Sequence, residues 1–136
     1  MRDPQDSVTT VLVVDDEDAV RSLLRTLLRL AGYEALACRD GAEALDLLAA
    51  RGGDVQLLIT DINLGPDMDG FELADALRAS QPALKVLFIS GDEAERAGRE
   101  MASGHTQFLA KPFTPRAFTD TARALLAAAN ITVSAS

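Results

Sequence analysis

A chain of 136 residues with 21 Asp and Glu against 13 Lys and Arg, net charge −8, can bury a core without disulfides but is too acidic to grip a nucleic acid by itself. With 48% of its residues apolar it is not a disordered chain, and no apolar run is long enough to insert in a membrane. Its single cysteine, Cys38, excludes an internal disulfide and suits a reducing, cytoplasmic setting, and no N-terminal segment has the pattern of a secretory signal.

Residues 1–7 are polar and read as a flexible tail. Val8–Val14 ends in Val11-Leu12-Val13-Val14, the continuous apolar run expected of a strand covered on both faces. Val20, Leu23, Leu24, Leu27, Leu28 and Leu30 recur at helical spacing over Ala19–Ala31, and Gly32 stands where a helix ends. Glu34–Cys38 is a short second strand. Asp40 with Glu43 makes a capping pattern for a helix over Ala42–Ala50. Val55–Thr60 is the third strand, and Asp69 with Glu72 caps a helix over Phe71–Ala79. Lys85–Ser90 is a strand, Glu93–Ala102 a weaker helix containing Gly98, and Thr106–Ala110 the last strand. Thr114 as N-cap and Pro115 as first helical residue open a final helix to about Ala129.

Strict alternation predicts one α/β domain over 8–130: a five-stranded parallel sheet, doubly wound, flavodoxin-like (βα)5, with helices on both faces. Residues 131–136 read as a C-terminal tail, too short for a second domain, so no DNA-binding output domain is expected in this chain.

In such sheets the ligand crevice lies at the carboxyl ends of the strands. Those ends are Asp15-Asp16 with Glu17 and Asp18, Thr60-Asp61-Ile62-Asn63, Ser90-Gly91-Asp92, and Lys111-Pro112-Phe113. Singly, each has an ordinary use. Asp15 to Asp18 could cap a helix, Asp61 and Ser90 to Asp92 could be turn residues, and Lys111-Pro112 a surface loop. Jointly, three carboxylates at one edge would repel unless a divalent cation and a lysine hold them ionised. Hard oxygen ligands suit Mg²⁺, or Mn²⁺. One carboxylate then serves as a nucleophile towards a phosphoryl group. The metal takes one phosphoryl oxygen, Lys111 another, and the Ser90 hydroxyl a third, because phosphoryl transfer needs mainly positioning and charge neutralisation.

The set Val13-Val14-Asp15-Asp16, Thr60-Asp61-Ile62-Asn63, Met68-Asp69-Gly70, Ser90-Gly91 and Lys111-Pro112-Phe113 resembles the receiver domain (CheY-like) of bacterial two-component response regulators. The resemblance runs from about Val8 to Ala129, in order and spacing. It implies Asp61 as the phosphoacceptor, Asp16 as a direct metal ligand, Asp15 as a ligand through water, and Asn63 as a ligand through its backbone carbonyl. It implies Ser90 as the switch hydroxyl, Lys111 as the phosphate partner, and Phe108 as the aromatic that turns inward on activation. Asn63 and Asp92 would flank the path of the water that removes the phosphoryl group. The Lys111–Pro112 bond would be cis. The donor would be a histidine kinase, a histidine phosphotransfer protein or a small acyl phosphate, since the one histidine, His105, lacks a kinase context. Catalysis would be limited to the domain's own phosphorylation and dephosphorylation. The surface that changes would be the fourth helix, fifth strand and fifth helix, in a monomer or a phosphorylation-dependent dimer. One departure stands out: Gly65 holds the place where the family commonly has Pro, Pro66 follows, and the Leu64 to Met68 loop is one residue longer.

Two other readings use the same residues. A haloacid-dehalogenase-like phosphatase also has an aspartate nucleophile, Mg²⁺, a Ser or Thr and a Lys, but carries the nucleophile on the first strand with a second Asp two residues on. Here Asn63 follows Asp61 at that distance. Turnover of a phosphomonoester would favour it. A pseudo-receiver scaffold would lack part of the acid–lysine set, which is complete here. A Mg²⁺-dependent response to beryllofluoride separates it from a phosphoacceptor.

Overall fold

The apolar segments find each other in parallel. In the computed structural model, which describes residues 9–51, 54–91 and 105–134, the strands are β1 (Thr10–Val14), β2 (Glu34–Cys38), β3 (Leu57–Asp61), β4 (Lys85–Ser90) and β5 (Thr106–Ala110). The helices are α1 (Asp18–Leu30), α2 (Gly41–Arg51), α3 (Gly70–Ser80) and a C-terminal helix (Pro115–Ser134). The sheet order is β2-β1-β3-β4-β5, every pair parallel. Residues 1–7 and the expected helix over Glu93–Ala102 lie outside the described residues.

Every residue of β1, β3 and β4 is buried, which is why these strands are apolar runs rather than alternating ones. Their side chains still alternate between two cores. Leu12, Val14, Leu58, Val86 and Phe88 pack with Ala44 of α2 and Leu73 and Leu77 of α3. Val11, Val13, Leu57, Ile59, Leu87 and Ile89 pack with Leu24 and Leu28 of α1 and with Phe118, Ala122 and Leu125 of the C-terminal helix. The helices therefore cover both faces, as the pattern predicts. Each fully buried Leu or Ile contributes about 1.5–3 kcal/mol of transfer free energy.

Local chemistry sets the helix ends. Asp69 and Glu72 form the expected capping box: Asp69 Oδ1 accepts from Glu72 N at 2.8 Å and Glu72 Oε1 from Asp69 N at 2.9 Å. Asp40 Oδ1 accepts from Glu43 N at 2.8 Å, while Glu43 reaches back to Arg39 N at 2.7 Å. Thr114 Oγ1 accepts from Ala117 N at 3.0 Å. Gly32, at φ +98, ends α1 in the left-handed region. The C-terminal helix runs past its expected end near Ala129 to Ser134, because neither Gly nor Pro follows the alanine run that would stop it. No helix among the described residues is long and apolar enough to cross a membrane.

The chain leaves β1 towards β2 on one side and continues from β3 towards β5 on the other. The carboxyl ends of β1 and β3 thus flank the point where the winding reverses, the place for a ligand crevice.

Candidate functional site

Register brings the four strand ends together. Val14 lies opposite Cys38 and Thr60, Asp61 opposite Ile89, and Ser90 opposite Ala110. The ladder continues one step past the strands, with Asp15 N donating to Cys38 O at 3.1 Å, Ile62 N to Ile89 O at 3.1 Å and Lys111 N to Ser90 O at 2.8 Å. Asp15, Asp61, Ser90 and Lys111 therefore emerge along one edge.

Asp15 is 1% exposed and Asp61 8%, while Asp16 is open to solvent. One carboxylate oxygen from each of the three lies within 4.8 Å of the others. Lys111 Nζ donates to Asp61 Oδ2 at 2.9 Å, and Asn63 N to Asp61 Oδ1 at 3.0 Å. Asp15 Oδ1 accepts from Glu17 N at 2.9 Å. Asp15 Oδ2 and the Ser90 hydroxyl are buried without a hydrogen-bond partner among the described residues. Buried polar atoms without partners are costly and uncommon, and here they belong to the strand-end residues that sequence reasoning singled out.

Charge crowding shows in the electrostatics. Burial holds the Asp15 carboxyl above its ordinary range, opposed by the bond from Glu17 N and reinforced by the charge of Asp61. Burial pulls Lys111 down, but the hydrogen bond and charge of Asp61, with Asp15 and Glu17, outweigh it and leave the ammonium above its usual value. The N-cap of α1, Glu17, makes no side-chain cap bond, so the cluster is not a capping arrangement of that residue. Three converging carboxylates, one with an unpartnered buried oxygen, fit a hard divalent cation.

Two glycines explain the loop after Asp61. A Cβ on Gly70 would sit 2.5 Å from Asp61 O and 3.0 Å from Ile62 Cα, so only glycine lets α3 begin this close to the carboxylate's own backbone. Gly65 has φ +143, which proline, fixed near −65°, cannot adopt. That accounts for glycine rather than proline at this position.

Of the expected site residues, Asp15, Asp16, Asp61 and Lys111 converge, and Ser90 lies buried at the same edge. Asn63 meets Asp61 through its backbone N–H, with its side chain exposed. Phe108 packs against the α2–α3 core, 5.0 Å from Phe88 between ring centroids. Asp92 lies outside the described residues. The Lys111–Pro112 bond is cis. Sequence reasoning missed Arg21, whose Nη1 donates to Asp15 O at 2.9 Å while it pairs with Asp18, tying the turn that carries Asp15. The Asp18–Arg21 helical spacing was the available signal.

Comparison with known proteins gives the same fold. A family model described as the response regulator receiver domain matches residues 11–123. The chain is 36% identical over 118 residues to the sensor kinase CckA of Brucella abortus, covering 86% of this chain and 12% of that protein. It is 38% identical over 111 residues to the response regulator protein FleR of Pseudomonas aeruginosa, covering 81% and 23%. The chain thus spans well under half the length of either. A crystal structure of a response regulator receiver protein from Sinorhizobium medicae superposes with a TM-score of 0.80 at 28% identity, covering 90% of this chain and 98% of that one. With the family model matched from β1 into the C-terminal helix, this chain belongs to the response regulator receiver domains of two-component signalling.

Proposed function

We propose that this receiver takes a phosphoryl group on Asp61, in a unit spanning 8–130 with residues 1–7 as a tail and residues 131–134 continuing the C-terminal helix. The observation that carries the reading is the placement of Asp61: Lys111 Nζ on one carboxylate oxygen, Asn63 N on the other, and the oxygens of Asp15 and Asp16 within 4.8 Å. Asp61 attacks the phosphorus of a phosphohistidine, an O–P bond forms as the N–P bond breaks, and the imidazole leaves with its electron pair. Asp15, Asp16, Asp61 and the backbone carbonyl of Asn63 would hold Mg²⁺ or Mn²⁺, which would neutralise charge on the phosphoryl oxygens. Lys111 neutralises a further oxygen, and the Ser90 hydroxyl, without a partner among the described residues, is free to donate to the phosphoryl group. Ser90 and Phe108 then report the state of Asp61 to the surface around β5. The domain catalyses only this transfer and the hydrolysis of the aspartyl phosphate, in which water takes the phosphoryl group and the Asp61 carboxylate is regenerated.

A histidine kinase or histidine phosphotransfer protein fits as donor, since one similar protein is itself a sensor kinase. A cytoplasmic location belongs to the same reading and is supported by the single buried thiol of Cys38. A phosphomonoester phosphatase is not favoured: Asp61 stands on β3, not the first strand, and Asn63 follows where that class has a second aspartate. The complete acid–serine–lysine set supports a phosphoacceptor over a pseudo-receiver.

The test is phosphorylation with radiolabelled acetyl phosphate. Wild type gains an acid-labile label that requires Mg²⁺, and Asp61→Asn gains none while keeping its circular dichroism spectrum. Stoichiometric label on Asp61→Asn would show that another residue is the acceptor.

A further inference from the structure

Phe71 is a first-turn residue of α3. Its neighbour Gly70 does press on the acceptor's backbone: Gly70 N donates to Ile62 O at 2.8 Å, and any Cβ there would meet Asp61 O at 2.5 Å. No slack exists between the start of α3 and the chain at Asp61 and Ile62. The Phe71 ring lies 4.7 Å from Phe88 and 6.2 Å from Phe108, and Phe88 and Phe108 stack at 5.0 Å. Two turns further along α3, Arg78 donates through Nη2 to His105 O and Thr106 Oγ1, each at 2.9 Å, and through Nε to Leu84 O at 3.0 Å. Phe71 and Arg78 share one side of the helix, and Thr106 and Phe108 share one face of β5. α3 thus grips β5 at two points, with an aromatic contact at the crevice end and a guanidinium at the far end.

We propose that Phe71 is a positioning residue for Phe108, and that α3 connects Asp61 to β5 by a route separate from Ser90. The proposal rests on the reading of Asp61 as phosphoacceptor. Bulk and charge added at Asp61 act on the backbone against which Gly70 is packed, and the first turn of α3 must follow. Arg78 holds the far end of α3 to the start of β5, so the movement is a tilt that carries the Phe71 ring. Phe108, 6.2 Å from that ring and stacked on Phe88, which touches both, follows the tilt, because packed rings shift between discrete arrangements rather than deform.

Hydrogen exchange of peptides covering residues 106–110, with and without Mg²⁺ and beryllofluoride, tests this on the full chain. The quantity read is the difference between the free and bound states. A merely structural role for Phe71 would change protection in both states and leave that difference unaltered. Wild type should show a difference, Ser90→Ala should keep part of it, Phe71→Leu should reduce it, and Ser90→Ala with Phe71→Leu should lose it. Phe71→Tyr, which keeps the ring, should restore the wild-type difference. Bound beryllofluoride is followed by fluorine NMR in each variant, and Phe71→Met replaces Phe71→Leu if the latter fails to bind. With binding intact, a double variant equal to Ser90→Ala, or a Ser90→Ala difference of zero, overturns the α3 route and leaves the Asp61 reading standing. Failure of wild type to bind beryllofluoride overturns both.

Discussion

Lys111 Nζ reaches Asp61 Oδ2 at 2.9 Å, a contact between residues 50 apart in sequence and the one cation among the described residues paired to the carboxylate cluster's central member. The lysine side chain is 38% exposed, so the pair by itself is worth no more than about 1 kcal/mol. Its larger effect is to offset repulsion among Asp15, Asp16 and Asp61. Lys111→Met should lower the melting temperature in chelator by several degrees, roughly 1 kcal/mol. It should also slow phosphorylation by acetyl phosphate on the order of 10²-fold, the usual cost of removing one charge-stabilising donor. Unchanged melting and labelling would mean that the pair is incidental.

Metal binding should stabilise the fold for the same reason. At a Mg²⁺ concentration about 100 times its dissociation constant, linkage gives about 2.7 kcal/mol. Asp16→Asn should lose most of that gain, and in chelator it should melt no lower than wild type, because it removes a repelling charge. Thermal melts with and without Mg²⁺ decide the matter. Equal stabilisation of both proteins would count against Asp16 as a ligand.

Much of this site was legible because the relevant pattern is coarse. A buried parallel strand is an apolar run that ends in a polar residue, and Asp15, Asp61 and Ser90 stand at such ends, with Lys111 following the half-buried edge strand β5. Their convergence needs only parallel order, which strict alternation dictates. Side-chain partnerships across distant elements were not legible. Phe71 has helical spacing in the sequence, but its ring contacts depend on β5 lying beside β4. The tie from Arg21 to Asp15 O depends on how the β1–α1 turn folds back. The positive φ that Gly65 adopts was not legible either, since backbone conformation in an irregular loop leaves no periodic trace.

Glycine at 70 and glycine at 41 offer a matched pair of tests. At Gly70 an added methyl meets the Asp61 carbonyl at 2.5 Å, and that backbone belongs to a buried strand. At Gly41 it meets Met68 Sδ at 2.5 Å, the far part of a flexible side chain that can turn aside. Gly70→Ala should therefore cost roughly 1–3 kcal/mol in urea unfolding, and Gly41→Ala less than half as much. Gly70→Ala should also slow phosphorylation by shifting Asp61. Equal costs at the two positions would show that the α3 start is not tightly fixed against the acceptor.

The lifetime of the phosphoryl group should be set by access for one water molecule. Loss of phosphate from Asp61 needs a water in line with the breaking P–O bond, on the side opposite the carboxylate. Asn63 stands two residues beyond the acceptor, its N–H fixed on Asp61 Oδ1 at 3.0 Å and its side chain exposed. That side chain is short, uncharged and able to hydrogen-bond a water without filling its approach. A short-lived state follows, decaying in minutes or less rather than hours, as suits a signal that is reset often. Asn63→Arg should lengthen it, because a long cation can occupy the approach and pair with the phosphoryl oxygens instead. The backbone contact to Asp61 is retained in that variant, so phosphorylation itself should proceed. Loss of radiolabel after removal of the donor gives both lifetimes directly. A wild-type half-life of many hours, unchanged by Asn63→Arg, would show that access beside Asp61 does not control the rate.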